Sequence, residues 1–188
     1  MRDDDLIRRE TPSKDAFAAV YEQHLAAISG YLRRRLGDDA AEDAAAEVFF
    51  RAFRAPGPTD EARATTLPWL YGIAANVIAE RRRADRRRLR AMERLAADRP
   101  PSGPDLSEGV GLDPELMRAV RKLRPADRET LLLIAWADLS YEQTAEALQI
   151  PVGTVRSRLV RVRRQLGALS AERPTQPDPP MTARNAHV

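Results

Sequence analysis

At 188 residues and a hydrophobic share of 43%, the chain has room for one or two small domains, each with a core, and for nothing larger. It contains no cysteine, which excludes disulfides, thiolate metal sites and cysteine nucleophiles, and only His24 and His187 could offer imidazole, so no metal or other cofactor is expected. The formal charge of +3 hides an acidic start, nine basic against twelve acidic side chains up to Asp60, followed by dense arginine; the later part predicts an anionic partner and the earlier part a cationic one.

Residues 1–12 are polar and predicted to fray. MRDDDLIRRE holds no signal-peptide core, and no apolar run approaches the about 18 residues of a membrane span, so a cytoplasmic protein without membrane insertion is expected. A first helix is predicted from Lys14 to Leu36, with Phe17, Val20, Tyr21, His24, Leu25, Ile28 and Leu32 on its inner face and Gly37 ending it. A second follows at once. Asp39 and Glu42 read as its capping box, and Val48, Phe49 and Phe53 as its core, with Phe50 a further candidate. Asp43, Glu47 and Arg51 fall at i, i+4 and i+8 on this helix as one exposed charged strip, which fits solvated surface as well as an interface.

The prolines and glycine of Ala55 to Asp60 predict a loop. The third element starts near Thr66 and Pro68, and Leu70, Ile73, Ala74, Val77 and Ile78 give it an inner stripe before the sequence turns into ERRRADRRRLRAMER, a charged rod. Eight arginines lie between Arg81 and Arg94 against Asp85 and Glu93. Trp69, Asn76, Arg83 and Arg87 share a narrow arc, an aromatic and an amide followed by guanidiniums, a combination able to stack on bases and hold phosphates. Trp69 alone fits a core position equally well.

Asp98 to Leu112 is a linker by composition. Asp113 and Pro114 then read as N-cap and first residue of a helix reaching Lys122, and Pro125 opens another in which Leu131, Leu132, Ile134 and Ala135 are apolar enough to be buried. Ser140 and Gln143 form a second capping box, for a short helix that buries Thr144, Ala145 and Leu148. Pro151 suits the opening of the last helix, where Val155, Leu159, Val162 and Leu166 make one apolar stripe. The opposite face carries Gly153, Ser157, Arg161 and Arg164, flanked by Arg156, Arg158 and Arg163, with no acidic residue from Val152 to Leu166. Two helices, a short turn and a basic second helix predict a helix-turn-helix whose outer face suits phosphates and guanine edges. Lys14 and Lys122 are the two lysines; the remaining basic residues are arginine, which favours bidentate contacts and which a GC-rich genome would also produce. The segment after Leu169 has no periodicity and is predicted to be disordered.

With both halves read, the chain resembles the extracytoplasmic-function group of bacterial RNA polymerase sigma factors, the minimal two-domain members of the sigma-70 family. IPVGTVRSRLVRVRRQL resembles the family's region 4.2, AEDAAAEVFFRAF its region 2.2, and LPWLYGIAANVIAERRRADRRR its regions 2.3 and 2.4. Ala44 and Ala46 stand where the family commonly has leucine and glutamine, Ala75 where arginine is frequent, and Glu80 where aspartate is usual. The resemblance implies that Gly153, Thr154, Arg156, Ser157, Arg158, Val160, Arg161 and Arg164 face a −35 promoter element. It implies that Trp69, Asn76, Arg82, Arg83, Arg86 and Arg87 face the −10 element, and that Asp43, Glu47, Phe49 and Arg51 dock on core RNA polymerase. The implied partners are the β′ clamp helices and the β flap of that polymerase, double-stranded and melted promoter DNA, and an anti-sigma factor.

The expected architecture is all-α: a polymerase-docking and −10 domain at 13–97, a flexible linker at 98–112, a helix-turn-helix domain at 113–169 and a disordered tail at 170–188. No paired carboxylates, nucleophile and base set or phosphate loop occurs, so the chain is expected not to be an enzyme. The rival expectations are a helix-turn-helix regulator that binds DNA without being a polymerase subunit, and a mimic that sequesters an anti-sigma factor.

Overall fold

The computed structural model describes residues 14–55, 66–95 and 113–171. Its elements are α1 (Lys14–Leu36), α2 (Asp38–Arg54), α3 (Thr66–Leu95), α4 (Pro114–Lys122), α5 (Pro125–Ala137), α6 (Tyr141–Leu148) and α7 (Val152–Ala171), and no strand occurs among the described residues. The proposed linker at 98–112, the loop at 56–60 and residues 1–12 lie outside them. Of the tail expected from 170, residues 170 and 171 belong to α7 and the rest is likewise outside.

α1 and α2 meet at Gly37, whose φ of 82° lies in the left-handed region that glycine enters without penalty. Its N–H donates to the Arg33 carbonyl at 2.9 Å, so one residue both closes α1 and occupies the N-cap position of α2. This corrects the expected capping box: α2 starts a residue earlier than Asp39, with no side-chain cap. Asp38 and Asp39 instead place negative charge in the first turn, where the helix dipole favours it. Ile28, Leu32, Val48, Phe49, Leu70, Ala74, Val77 and Ile78 are buried where α1, α2 and α3 pack together. Phe17 meets Phe53 edge-on at 5.1 Å, and Tyr21, though 41% exposed, meets Phe49 at 4.8 Å. Phe50 is no core residue; it lies exposed with the Arg54 guanidinium over its ring.

In the second helical group the N-terminal signals act as read. Asp113 accepts from the Glu115 N–H at 2.9 Å, Pro114 and Pro125 open α4 and α5, and the Ser140 and Gln143 capping box closes with bonds of 3.1 and 2.8 Å. Gln149, at φ 52°, turns the chain from α6 towards α7. Val155, Leu159 and Val162 are buried and Leu166 half-buried, as the stripe predicts. α5 departs from expectation: Ala135 is exposed and Leu133 is fully buried.

The reason is that Leu133 faces the other helical group. Leu133, Leu139 and Ala147 join Ile28, Leu70, Tyr71 and Ala74 in one apolar cluster, so the two groups share part of a core instead of each closing on itself. α6 lies against α3 so closely at Gly72 that a Cβ there would be driven into the Ala147 carbonyl oxygen. A glycine inside a helix costs roughly 1 kcal/mol against alanine; here it allows the backbones to approach.

Candidate nucleic-acid interface

α7 is anchored on one side and open on the other. Gly153, Arg156, Ser157, Val160 and Arg164 are exposed, Val160 at 62%, while Thr154 is half-buried at the first turn. An exposed valine between guanidiniums suits apolar contact with a thymine methyl beside polar contacts with base edges. Three of the arginines on this helix are already engaged, Arg163 with the Tyr141 hydroxyl at 3.4 Å and two others with α5. Arg161 forms a bidentate pair with the buried Asp127 of α5, Nη2 to Oδ1 at 2.7 Å and Nε to Oδ2 at 3.2 Å, and that pairing raises its pKa. Arg158 donates to Thr130 Oγ1 at 3.2 Å. Arg156 and Arg164 extend to solvent.

On α3 the arc read from the sequence divides. Trp69 is half-buried and packs on the main core, while Asn76, Arg83, Arg86 and Arg87 are exposed. Arg82 turns inward. Burial, then the nearby Arg35 charge, push its pKa down to about 10, and its buried Nη2 has no hydrogen-bond partner.

A buried network crosses between the groups. The Arg35 guanidinium of α1, fully buried, grips Glu129 of α5 with Nη1 to Oε1 at 2.8 Å and Nη2 to Oε2 at 2.6 Å. Tyr31 donates to Glu129 Oε1 at 2.7 Å and accepts from Arg35. Burial raises the Glu129 pKa, but the Arg35 charge and the hydrogen bonds from Arg35 and Tyr31 outweigh it and hold the carboxyl below its usual range. Burial and the Glu129 charge push the Tyr31 phenol well above its ordinary value. Sequence periodicity singled out none of these three residues.

The strip on α2 is present, with Asp43 exposed and Glu47 and Arg51 half-buried. Arg51 joins Glu47 at 2.6 Å to Glu80 of α3 at 2.7 Å, and its hydrogen bonds lower the Glu80 pKa. Phe49 does not share this surface. It is buried beneath it, so it can shape the strip but offers no ring to a partner.

Among the described residues no helix is long and apolar enough to cross a membrane, and no cluster of metal-ligating side chains occurs. The family model for Sigma-70 region 2 matches residues 20–88 and that for Sigma-70, region 4 matches residues 114–166. The chain is 31% identical over 166 residues to the ECF RNA polymerase sigma factor BldN of Streptomyces coelicolor, covering 86% of this chain and 63% of that protein. It is 34% identical over 124 residues to the ECF RNA polymerase sigma factor SigC of Mycobacterium tuberculosis, covering 66% of each. The aligned part thus spans about two thirds of these relatives or slightly less. The fold is similar to that of CnrH in complex with the cytosolic domain of CnrY, at a TM-score of 0.57 and 24% identity over 88% of this chain and 94% of that one. It is also similar to the sigma factor RpoE in complex with the anti-sigma factor NepR from Bartonella quintana, at a TM-score of 0.53 and 23% identity over 85% and 98%.

Proposed function

We propose that this chain, which belongs to the sigma-70 family, is a promoter-specificity subunit: it binds core RNA polymerase and directs initiation at promoters with −35 and −10 elements. The observation that carries the reading is the open face of α7, where Gly153, Arg156, Ser157, Val160 and Arg164 stand clear of the core on a helix held by α5 and α6. In this reading α7 reads the −35 duplex. Asn76, Arg83, Arg86 and Arg87 contact the −10 element, joined by Arg82 and Trp69 once the strands part. Asp43, Glu47 and Arg51 dock on the polymerase, with Phe49 holding their helix from below. Residues 13–97 and 113–169 are the two functional domains and 98–112 their tether. Catalysis belongs to the polymerase, the working location is the cytoplasm, and a regulator of the anti-sigma kind is a natural partner.

The testing experiment is run-off transcription with purified core polymerase and genomic DNA fragments, alongside capture of the core enzyme. Wild type should start transcripts at discrete sites. Asp43→Arg with Glu47→Arg should weaken capture about tenfold or more, since like charges facing each other across an interface cost several kcal/mol. The fold should survive, because a solvent-accessible pair such as Glu47 and Arg51, its side chains 40% and 37% exposed, contributes only about 0.2–1 kcal/mol. Equal capture by wild type and the double reversal removes the docking assignment. Sequence-specific DNA binding without any capture of core enzyme makes the chain a helix-turn-helix regulator instead.

A further inference from the structure

Between α3 and the second helical group lies a cavity of about 640 Å³, of a size that holds small ligands. Six arginines from four helices line it: Arg82, Arg83 and Arg86 of α3, Arg121 of α4, Arg128 of α5 and Arg158 of α7. Glu129 is the single acid in the lining, and both of its oxygens are taken by Arg35, with Tyr31 adding a further bond. Positive charge in the cleft is therefore in excess. Two guanidinium nitrogens there, Arg82 Nη2 and Arg128 Nε, are buried without a hydrogen-bond partner. A buried donor left unsatisfied is destabilising, and more so on a charged group. Burial and then Arg35 weaken the hold of both Arg82 and Arg128 on their protons. The lining also includes an apolar part, with Ile78 and Ala79 of α3, Leu148 of α6 and Ile150.

We propose that this cleft binds a small polyphosphorylated ligand of the nucleotide class, its phosphates among the six guanidiniums and its base against the apolar part of the lining. Phosphate oxygens supply acceptors for Arg82 Nη2 and Arg128 Nε and a countercharge beyond the single Glu129, and guanidinium forks match them bidentately. An inorganic anion would satisfy the arginines but leave the apolar part unused. A DNA strand offers the same phosphate chemistry, and Arg82, Arg83, Arg86 and Arg158 are shared with the faces assigned to promoter elements, but Arg121 of α4 and Arg128 of α5 lie outside those assignments, so these two distinguish the ligand from DNA. A ligand seated there ties α3 to α4, α5 and α7, so it stabilises the packed arrangement of the two groups by mass action.

The test is isothermal titration calorimetry on the full chain with ATP, with inorganic tripolyphosphate as a probe without a base, and with a short single-stranded oligonucleotide. ATP should bind one per chain, more tightly than tripolyphosphate. Arg128→Gln should weaken ATP about tenfold or more, the loss of one charge-assisted contact, and Arg54→Gln, a charge removed on α2, should not. Thermal unfolding establishes that the variants fold, and Arg121→Gln supplies a second reading if Arg128→Gln does not. The proposal is overturned by any of three results: no saturable ATP binding at millimolar concentration, equal weakening by Arg54→Gln and Arg128→Gln, or oligonucleotide binding that matches ATP and falls in parallel with it in Arg128→Gln.

Discussion

Glu129→Ala should destabilise the chain by about 3–5 kcal/mol, because it leaves the fully buried Arg35 guanidinium without its carboxylate. The intact pair need not stabilise the fold by that amount, since desolvating two charges offsets much of their attraction; the cost lies in stranding one of them. As Arg35 belongs to α1 and Glu129 to α5, the loss falls on the contact between the helical groups. Urea unfolding should therefore show a lower midpoint, and small-angle scattering a larger radius below it. Gly72→Val attacks the same contact by steric means, pushing α6 off α3 at Ala147, and should give the same expansion with Arg35 still paired. A Glu129→Ala protein with the wild-type midpoint and radius would falsify the network's role. The pH dependence has a definite sign. The folded-state pKa of Glu129 is depressed, so its contribution is present above the unfolded value of about 4.3 and is lost as pH falls through the folded one. Tyr31 is shifted upward, so its contribution is complete below about 10 and is lost as pH rises through its folded value.

These same residues mark where sequence reasoning stops. Helix positions were legible because Pro114, Pro125, Ser140 and Gln143 act within a few residues of themselves, and a cap needs no tertiary partner. The α7 stripe was legible for the same reason. Arg35 looked like the end of a basic run in the last turn of α1, and Glu129 like one more charge on α5; nothing local joins residues 94 positions apart. One signal was available. Gly72 sits mid-helix in YGIAA, where glycine is costly, and a costly small residue on an apolar face points to close backbone approach. Asp39 and Glu42 misled in the opposite way: the capping pattern is present, but Gly37 at positive φ had already started the helix. Among the candidate site residues, sequence spacing correctly opened α7 to solvent, yet it could not separate exposed arginines from those that α5 holds.

That separation changes what substitution on α7 should do. Sequence spacing treats Arg156 and Arg161 alike, as base-reading arginines. In the folded chain Arg156 is free to reach a base edge, so Arg156→Ala should lose about 1–3 kcal/mol of discrimination at one or two −35 positions and leave the others unchanged. Arg161 is held bidentately by Asp127, so its first role is to fix α7 on α5. Arg161→Ala should weaken binding to all −35 sequences in similar proportion, and Asp127→Asn should do the same while keeping the arginine. Arg164, exposed further along the helix, suits a phosphate contact; Arg164→Ala should weaken every promoter alike and lower the salt slope by about 0.9. Binding to a set of duplexes substituted one position at a time, each at two or more salt concentrations, separates these outcomes. If Arg161→Ala relaxes preference at a single base pair as Arg156→Ala does, the Asp127 pair opens on DNA and Arg161 reads sequence after all. If Arg156→Ala leaves preference intact at every position, α7 does not read the duplex through this face.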